Sequence, residues 1–366
     1  MLYYKRKLLL VGGICLNTLE ALEWSNWKNY SSKTKRDLFG QVLLYFVSPL
    51  RRVSNITLSQ FELAGVKCET FEVHLDDEPF VFLPGKKGAV LGWDSGTQPL
   101  PAFYWDKKNL VMNQRVADFI KNYGLETTEE WDAFVNESTS SLRQVDIPPM
   151  LVQKYPIPTG CKYIGRLHAV TGEFVGSVEA YSMIEKEILS YLQAPQTFES
   201  SLNFEFPGEI FQENQFYAVL NPEEETYTVY THQVCTQEEL KKELQGQVYE
   251  LLNEDQWEYA VGATTRRLFR WGNELVEDHS FWQNQTHRLV SKPNMFGLSF
   301  AGNNLRYEIT SGNQLKQDKW TNCHVPLLDY LPLSSYYRAR KILAKQEVLS
   351  PKDYLYRKAI IIDQLT

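Results

Sequence analysis

Between residues 254 and 308, tryptophan, glycine, asparagine and acidic residues interleave more densely than anywhere else in the chain. The stretch opens with Glu254-Asp255-Gln256-Trp257-Glu258-Tyr259-Ala260 and runs into Leu268-Phe269-Arg270-Trp271-Gly272-Asn273. It closes with Pro293-Asn294-Met295-Phe296-Gly297-Leu298 and, a few residues on, Gly302-Asn303. Neither a plain amphipathic helix nor an alternating strand has such a pattern. It predicts irregular backbone pinned by aromatic side chains, the setting in which binding and catalytic residues concentrate.

The length of 366 residues allows one large domain or two medium ones with a substantial core. Aromatic residues make up 13% of the chain, which suits loops held by large side chains. The net charge of −7 is spread along the sequence, and the basic runs Lys5-Arg6-Lys7 and Arg51-Arg52 are short. A nucleic-acid-binding face needs clustered Lys and Arg, so that class is excluded as an expectation. The apolar run Leu8 to Leu16 ends at Asn17, which fits a buried strand better than a secretory leader, and no other run has the length of a membrane span. Five cysteines, at 15, 68, 161, 235 and 323, share no CxxC spacing. An odd, scattered set is neither a zinc ribbon nor a disulfide framework, and it fits free thiols in a cytoplasmic protein.

The coarse element reading is α+β. Strands are expected over 3–16 and over 53–75, the latter broken at Ala64-Gly65, and a short helix over 18–30. Pro84-Gly85 reads as a tight turn between two short strands. Helices are expected within 110–145, with Thr127 and Glu130 at capping-box spacing and Gly124 as a helix terminator. Four prolines at 148, 149, 156 and 158 mark 145–157 as edge or irregular chain. A single amphipathic helix is expected over 177–193, strands over 203–234, and a capped helix from Thr236.

No HExxH, GxSxG or GxxxxGK[ST] string occurs. His279 and His287 lie eight apart in a loop-like segment, and Cys323 and His324 are adjacent. A thiolate–imidazole pair needs proximity in space rather than in sequence, so Cys323 and His324 are candidates for nucleophilic chemistry on adjacency alone.

Residues 231–298 resemble the formylglycine-generating enzyme (sulfatase-modifying factor) family. Its Glu-x-Glu-Trp-Glu-Tyr-Ala run is matched from Glu254 to Ala260, its Arg-Trp-Gly-Asn run at Arg270 to Asn273, and its Pro-Asn-x-Phe-Gly-Leu run at Pro293 to Leu298. The resemblance implies a C-type-lectin-like, loop-rich α+β fold in which Trp257, Tyr259, Trp271 and Phe296 are chiefly core residues. It would place that domain over 66–366, with a helical insertion around 110–145, after an N-terminal α/β extension over 1–65. The family binds Cu(I) through two thiolates and oxidises a sulfatase cysteine to formylglycine. Here the matching segment 309–357 carries Cys323 alone, so copper is not expected. The family's calcium turn would fall on Asn294, Asn303 and Glu308. A sister branch uses iron held by histidines.

The retained scaffold without the paired thiols implies a non-catalytic binding or accessory protein. A protein or peptide would sit in a cleft of loops 262–300 and 310–340, lined by Arg270, Trp271, Tyr336 and Arg338. Two enzyme readings stand beside it. One is a copper-dependent oxidase in which Cys323 pairs with Cys161 or Cys235. The other is an iron or zinc enzyme on which two or more of His232, His279, His287 and His324 converge.

Overall fold

The structure, a computed structural model of the chain, describes residues 8–11, 14–101, 105–106, 114–193, 205–273, 292–300, 306–319, 323 and 325–363. In chain order the elements used below begin with α1 (Ser32–Phe46), β1 (Val53–Leu63), β2 (Val66–Leu75), β3 (Glu78–Leu83) and β4 (Lys86–Leu91). Next come α2 (Gln114–Tyr123), α3 (Thr128–Glu137), β5 (Arg143–Ile147), β6 (Met150–Gln153), β7 (Cys161–His168), β8 (Phe174–Gly176), α4 (Val178–Ser182) and α5 (Glu185–Leu192). The last are β9 (Glu209–Gln212), β10 (Phe216–Asn221), β11 (Thr226–His232), β12 (Glu250–Leu251), α6 (Glu254–Gly262), β13 (Tyr307–Ile309), β14 (Leu315–Lys316), α7 (Pro326–Tyr330) and β15 (Lys358–Ile361). The chain is a mixed helix–strand protein with several antiparallel sheets. No helix among the described residues is long and apolar enough to cross a membrane.

Two compact units divide the chain. The first holds Met1–Pro156, Lys241–Ala344 and Tyr356–Thr366, and the second holds Ile157–Leu240 and Lys345–Leu355. Residues 1–65 thus fall in the same unit as 66–156.

The first unit is built on a six-stranded antiparallel sheet in the order β12-β15-β6-β3-β2-β1. Ala64 and Gly65, at φ 50° and 80°, form the two-residue turn between β1 and β2. Two successive positive φ values match the right-handed twist of the hairpin they close. The burial of Lys35, Leu38, Phe39 and Val42 shows why α1 is helix. Those positions are the i, i+3, i+4, i+7 stripe of one helical face. Ser31 caps α1 by accepting the Thr34 N–H at 3.2 Å. The helix lies on the sheet through Phe39, stacked on Phe71 at 4.2 Å between ring centres.

Two expectations fail at one clamp. The Trp24 N–H donates to the Gly85 carbonyl at 2.7 Å, and the Gly85 N–H donates to the Leu22 carbonyl at 3.0 Å. This pairing splits the helix expected over 18–30 into Thr18–Ala21 and Trp24–Trp27. It also stops Pro84-Gly85 from closing a hairpin, so that β3 pairs with β2 and β6 while β4 pairs with β5 in a separate sheet. A Cβ at position 85 would stand 2.7 Å from Pro149, which leaves room only for glycine. A further correction concerns 145–157. There β6 is central, with all four residues buried, because the prolines flank it rather than lie inside it.

The second unit carries a five-stranded antiparallel sheet in the order β8-β7-β11-β10-β9. Its alternating inward residues, among them Leu167, Phe216, Ala218, Tyr227 and Val229, pack with Tyr181, Ile184 and Ile188. The single helix expected over 177–193 is two, because Ile184 leaves helical geometry at φ −122°.

Candidate functional site

Helix α6 carries three carboxylates, Glu254, Asp255 and Glu258, within its first five residues. Asn253 and Gln256 form a reciprocal capping box that starts it, and Trp257 to Gly262 are all buried. Burying a helix that begins Glu-Asp-x-x-Glu requires cations, and the chain brings them from three distant segments. Lys316 of β14 donates to Glu258 at 2.7 Å and to Glu254 at 2.9 Å. Arg143 of β5 reaches Asp255 at 2.7 Å and Glu258 at 3.0 Å. Arg338 grips Glu254 with two parallel hydrogen bonds of 2.7 Å. Burial opposes the ionised form of Glu254, but Arg338 and Lys316 outweigh it and hold its pKa at about 2. A carboxylate that far below neutral pH does not trade protons near pH 7, so Glu254 serves to position α6 rather than as a general acid or base.

The residues singled out from sequence are placed as follows. Asn303 and His324 lie outside the described residues, as do His279 and His287. Cys323 is buried, its N–H donating to Asp329 Oδ1 at 2.9 Å, and Cys161, Cys235 and Cys323 are all buried and form no disulfide. Asn294 staples its own turn. Its Oδ1 accepts from the Phe296 and Leu298 N–H groups at 3.1 and 3.0 Å, while its Nδ2 donates to the carbonyls of Ala260 and Val261. Glu308 pairs with Arg357 at 2.8 Å inside the core. Among the described residues no group of three or more His, Cys, Asp or Glu side chains is placed to hold a metal ion. Arg270, 4% exposed, lies over Trp271 and Phe300 at 5.0 and 4.7 Å. Burial and then the neighbouring Arg357 pull its pKa down to about 9. Tyr336 is fully buried near Trp93, its phenol pushed up to about 12 mainly by burial. Arg270, Trp271 and Tyr336 are therefore interior side chains, and Arg338 is a half-buried partner of Glu254.

An open groove lies elsewhere in the first unit. Helix α2 supplies Phe119 and Tyr123, four residues apart on one face, with ring centres 5.5 Å apart. Helix α3, started by the expected Thr127–Glu130 capping box, supplies Phe134, edge-on to Tyr123 at 5.7 Å. Leu328 of α7 and Leu331 and Pro332 of the following 3-10 turn form another wall, and the space between them is about 80 Å3. Tyr337 and Asp318 line it as well, with the Tyr337 hydroxyl donating to Asp318 Oδ2 at 3.3 Å. Burial and Asp318 raise the Tyr337 pKa, so the phenol stays protonated. Arg340 stands at the lip. Its guanidinium lies 4.7 Å from the Tyr123 ring centre and 5.2 Å from that of Phe134. The i, i+4 aromatic pair on α2 is visible in the sequence. Its meeting with residues some two hundred positions later is not.

Comparison with known families gives one match. Residues 162–231 match the model of a profilin-like domain of unknown function (DUF7278), and the matched stretch lies wholly within the second unit. No curated protein and no solved structure matches the chain. The formylglycine-generating enzyme family does not match, so the resemblance drawn from the 254–298 motifs is overturned. The structure shows what those motifs do instead. The Glu254–Ala260 string is a capped, charge-pinned helix, Phe269 and Trp271 are stacked 5.1 Å apart, and Pro293 to Leu298 is an asparagine-stapled turn. Any aromatic-rich, loop-rich core has uses for such devices. The C-type-lectin-like architecture was an implication of that resemblance, and no comparison carries it.

Proposed function

We propose that this protein is a non-catalytic binding or accessory protein, at work in the cytoplasm, and that its first unit holds a segment of a protein or peptide partner. The groove of Phe119, Tyr123, Phe134, Leu328, Leu331 and Pro332 is the single observation that carries this reading. Three partly exposed aromatic rings converge there on an aliphatic wall, and the shape admits one side chain of a partner rather than a whole small molecule. Aromatic anchoring of a few partner side chains is how compact interfaces concentrate their affinity. The reading is tested by panning a random dodecapeptide display library on the full chain and mapping the bound peptides by amide hydrogen exchange. Peptides that protect 114–137 and 326–340 support it. Peptides that bind only other surfaces, or none that bind, sink it.

A further inference from the structure

We infer that the groove selects a partner segment in which a carboxylate stands directly beside an apolar side chain, with Arg340 receiving the carboxylate and the cavity receiving the side chain. This rests on the groove being the binding site proposed above.

Arg338 and Arg340 leave the same strand of chain two residues apart, yet they are used differently. Arg338 is consumed inside the protein by its two-pronged bond to Glu254. Arg340 is exposed, and among the described residues no carboxylate lies within ion-pair distance of it. The rings of Tyr123 and Phe134 hold its guanidinium at the lip. A guanidinium carries its N–H donors in a planar fork, the geometry that fits a carboxylate. A guanidinium restrained in this way gives up little further side-chain freedom when an anion arrives.

The walls decide what must accompany the anion. Phe119, Leu328, Leu331 and Pro332 offer no charge and no hydrogen-bond donor from their side chains, and about 80 Å3 accommodates one medium aliphatic side chain. Asp318, hydrogen-bonded by Tyr337, also lines the cavity. Its negative charge disfavours a second anionic group within the same small space. A run of acidic residues or a phosphate dianion therefore fits less well than one carboxylate next to leucine, isoleucine or methionine. The carboxylate is that of an aspartate or glutamate side chain or of a chain terminus.

The test sequences the peptides enriched on the full chain and on its R340E and R340Q variants. Arg340 is a surface side chain, so both variants are expected to fold, and their far-ultraviolet circular dichroism is compared with the parent. The parent should enrich Asp or Glu adjacent to an aliphatic residue. A chosen peptide of that type should lose about tenfold to a hundredfold in affinity against R340Q, and its Lys-substituted version should recover binding to R340E. Two binding arms, one with a free C-terminal carboxylate and one amidated, separate the two sources of the anion. Peptides that protect the groove from exchange but show no acidic preference, or that bind R340E as well as the parent, overturn this inference and leave the binding reading intact. Absence of any groove-protecting peptide overturns both.

Discussion

Lys316 Nζ stands 2.7 Å from Glu258 Oε1, and both side chains are completely buried. Such a pair gains less than its Coulomb attraction suggests, because both ions have lost their hydration. It is the removal of one partner that is costly. Lys316→Met should destabilise the protein by about 3–5 kcal/mol, since Glu258 is left buried with Arg143 as its remaining cation. The double variant Lys316→Met with Glu258→Leu should recover much of that loss, because Arg143 keeps Asp255 and Arg338 keeps Glu254. Urea unfolding followed by tryptophan fluorescence measures both. A loss below about 1 kcal/mol for Lys316→Met would show that α6 is not held by this lattice.

Acid should loosen the same lattice. The pKa of Glu254 is held down at about 2 in the folded chain, against 4.5 for the group when unperturbed. A depressed carboxylate contributes stability that is present above the unfolded value and lost as pH falls through 4.5 toward the folded value. The difference bounds the contribution at about 3 kcal/mol. Glu254→Gln should therefore flatten the stability profile between pH 4.5 and about 2. A Glu254→Gln profile parallel to that of the parent over this range would contradict the assignment.

The end of α6 offers a test of backbone geometry. Ala263 ends the helix in the left-handed region at φ 51°, ψ 30°, and the glycine is one residue earlier at Gly262. Ala263→Gly should stabilise the chain by about 0.5–1 kcal/mol by relieving the Cβ strain. Gly262→Ala should do the reverse, because its Cβ would meet Ser335 Cβ at 2.9 Å and Oγ at 3.0 Å in the core. Overpacking of that kind costs about 1–3 kcal/mol. Thermal denaturation of the two variants should move in opposite directions.

Local rules were legible in the sequence and long-range ones were not. The hairpin at Ala64-Gly65, the capping box at Thr127 and Glu130, and the cap of Thr236 with Glu239 all formed, because each depends on residues within four positions of one another. Pro84-Gly85 misled because its backbone is claimed by Leu22 and Trp24, some sixty residues away. The 254–298 motifs misled for a related reason. Tryptophan pins, a capping box and an asparagine staple are solutions to folding a loop-rich core, and they recur without common descent. The groove stayed hidden because its walls come from α2, α3, α7 and the segment after it. No periodicity links them, and Arg340 looks like any exposed arginine until it is seen over Tyr123.

His232 provides a check on the second unit. Its Nδ1 accepts the Asn214 N–H at 3.1 Å, so the proton of the neutral ring sits on Nε2. Burial lowers its pKa below the ordinary 6.5, with Glu213 opposing, and Phe211 packs edge-on at 4.9 Å. The sign follows from linkage. A lowered folded pKa means stability that is present above 6.5 and is lost as pH falls below it, since the unfolded chain takes up the proton first. A histidine ring-proton titration by NMR should give His232 a midpoint below 6.5. A midpoint above that value would contradict the buried, neutral assignment.

The central claim is that a partner segment sits in the groove of α2, α3 and the 3-10 turn. Titration calorimetry of one library-selected peptide against the parent and Tyr123→Ala tests it most directly. Tyr123 is 38% exposed, so the variant removes a groove wall without emptying the core. The predicted result is an affinity loss of about tenfold or more, the scale of removing an aromatic anchor, with the far-ultraviolet circular dichroism of the folded chain retained. Equal affinity for parent and variant would contradict the claim.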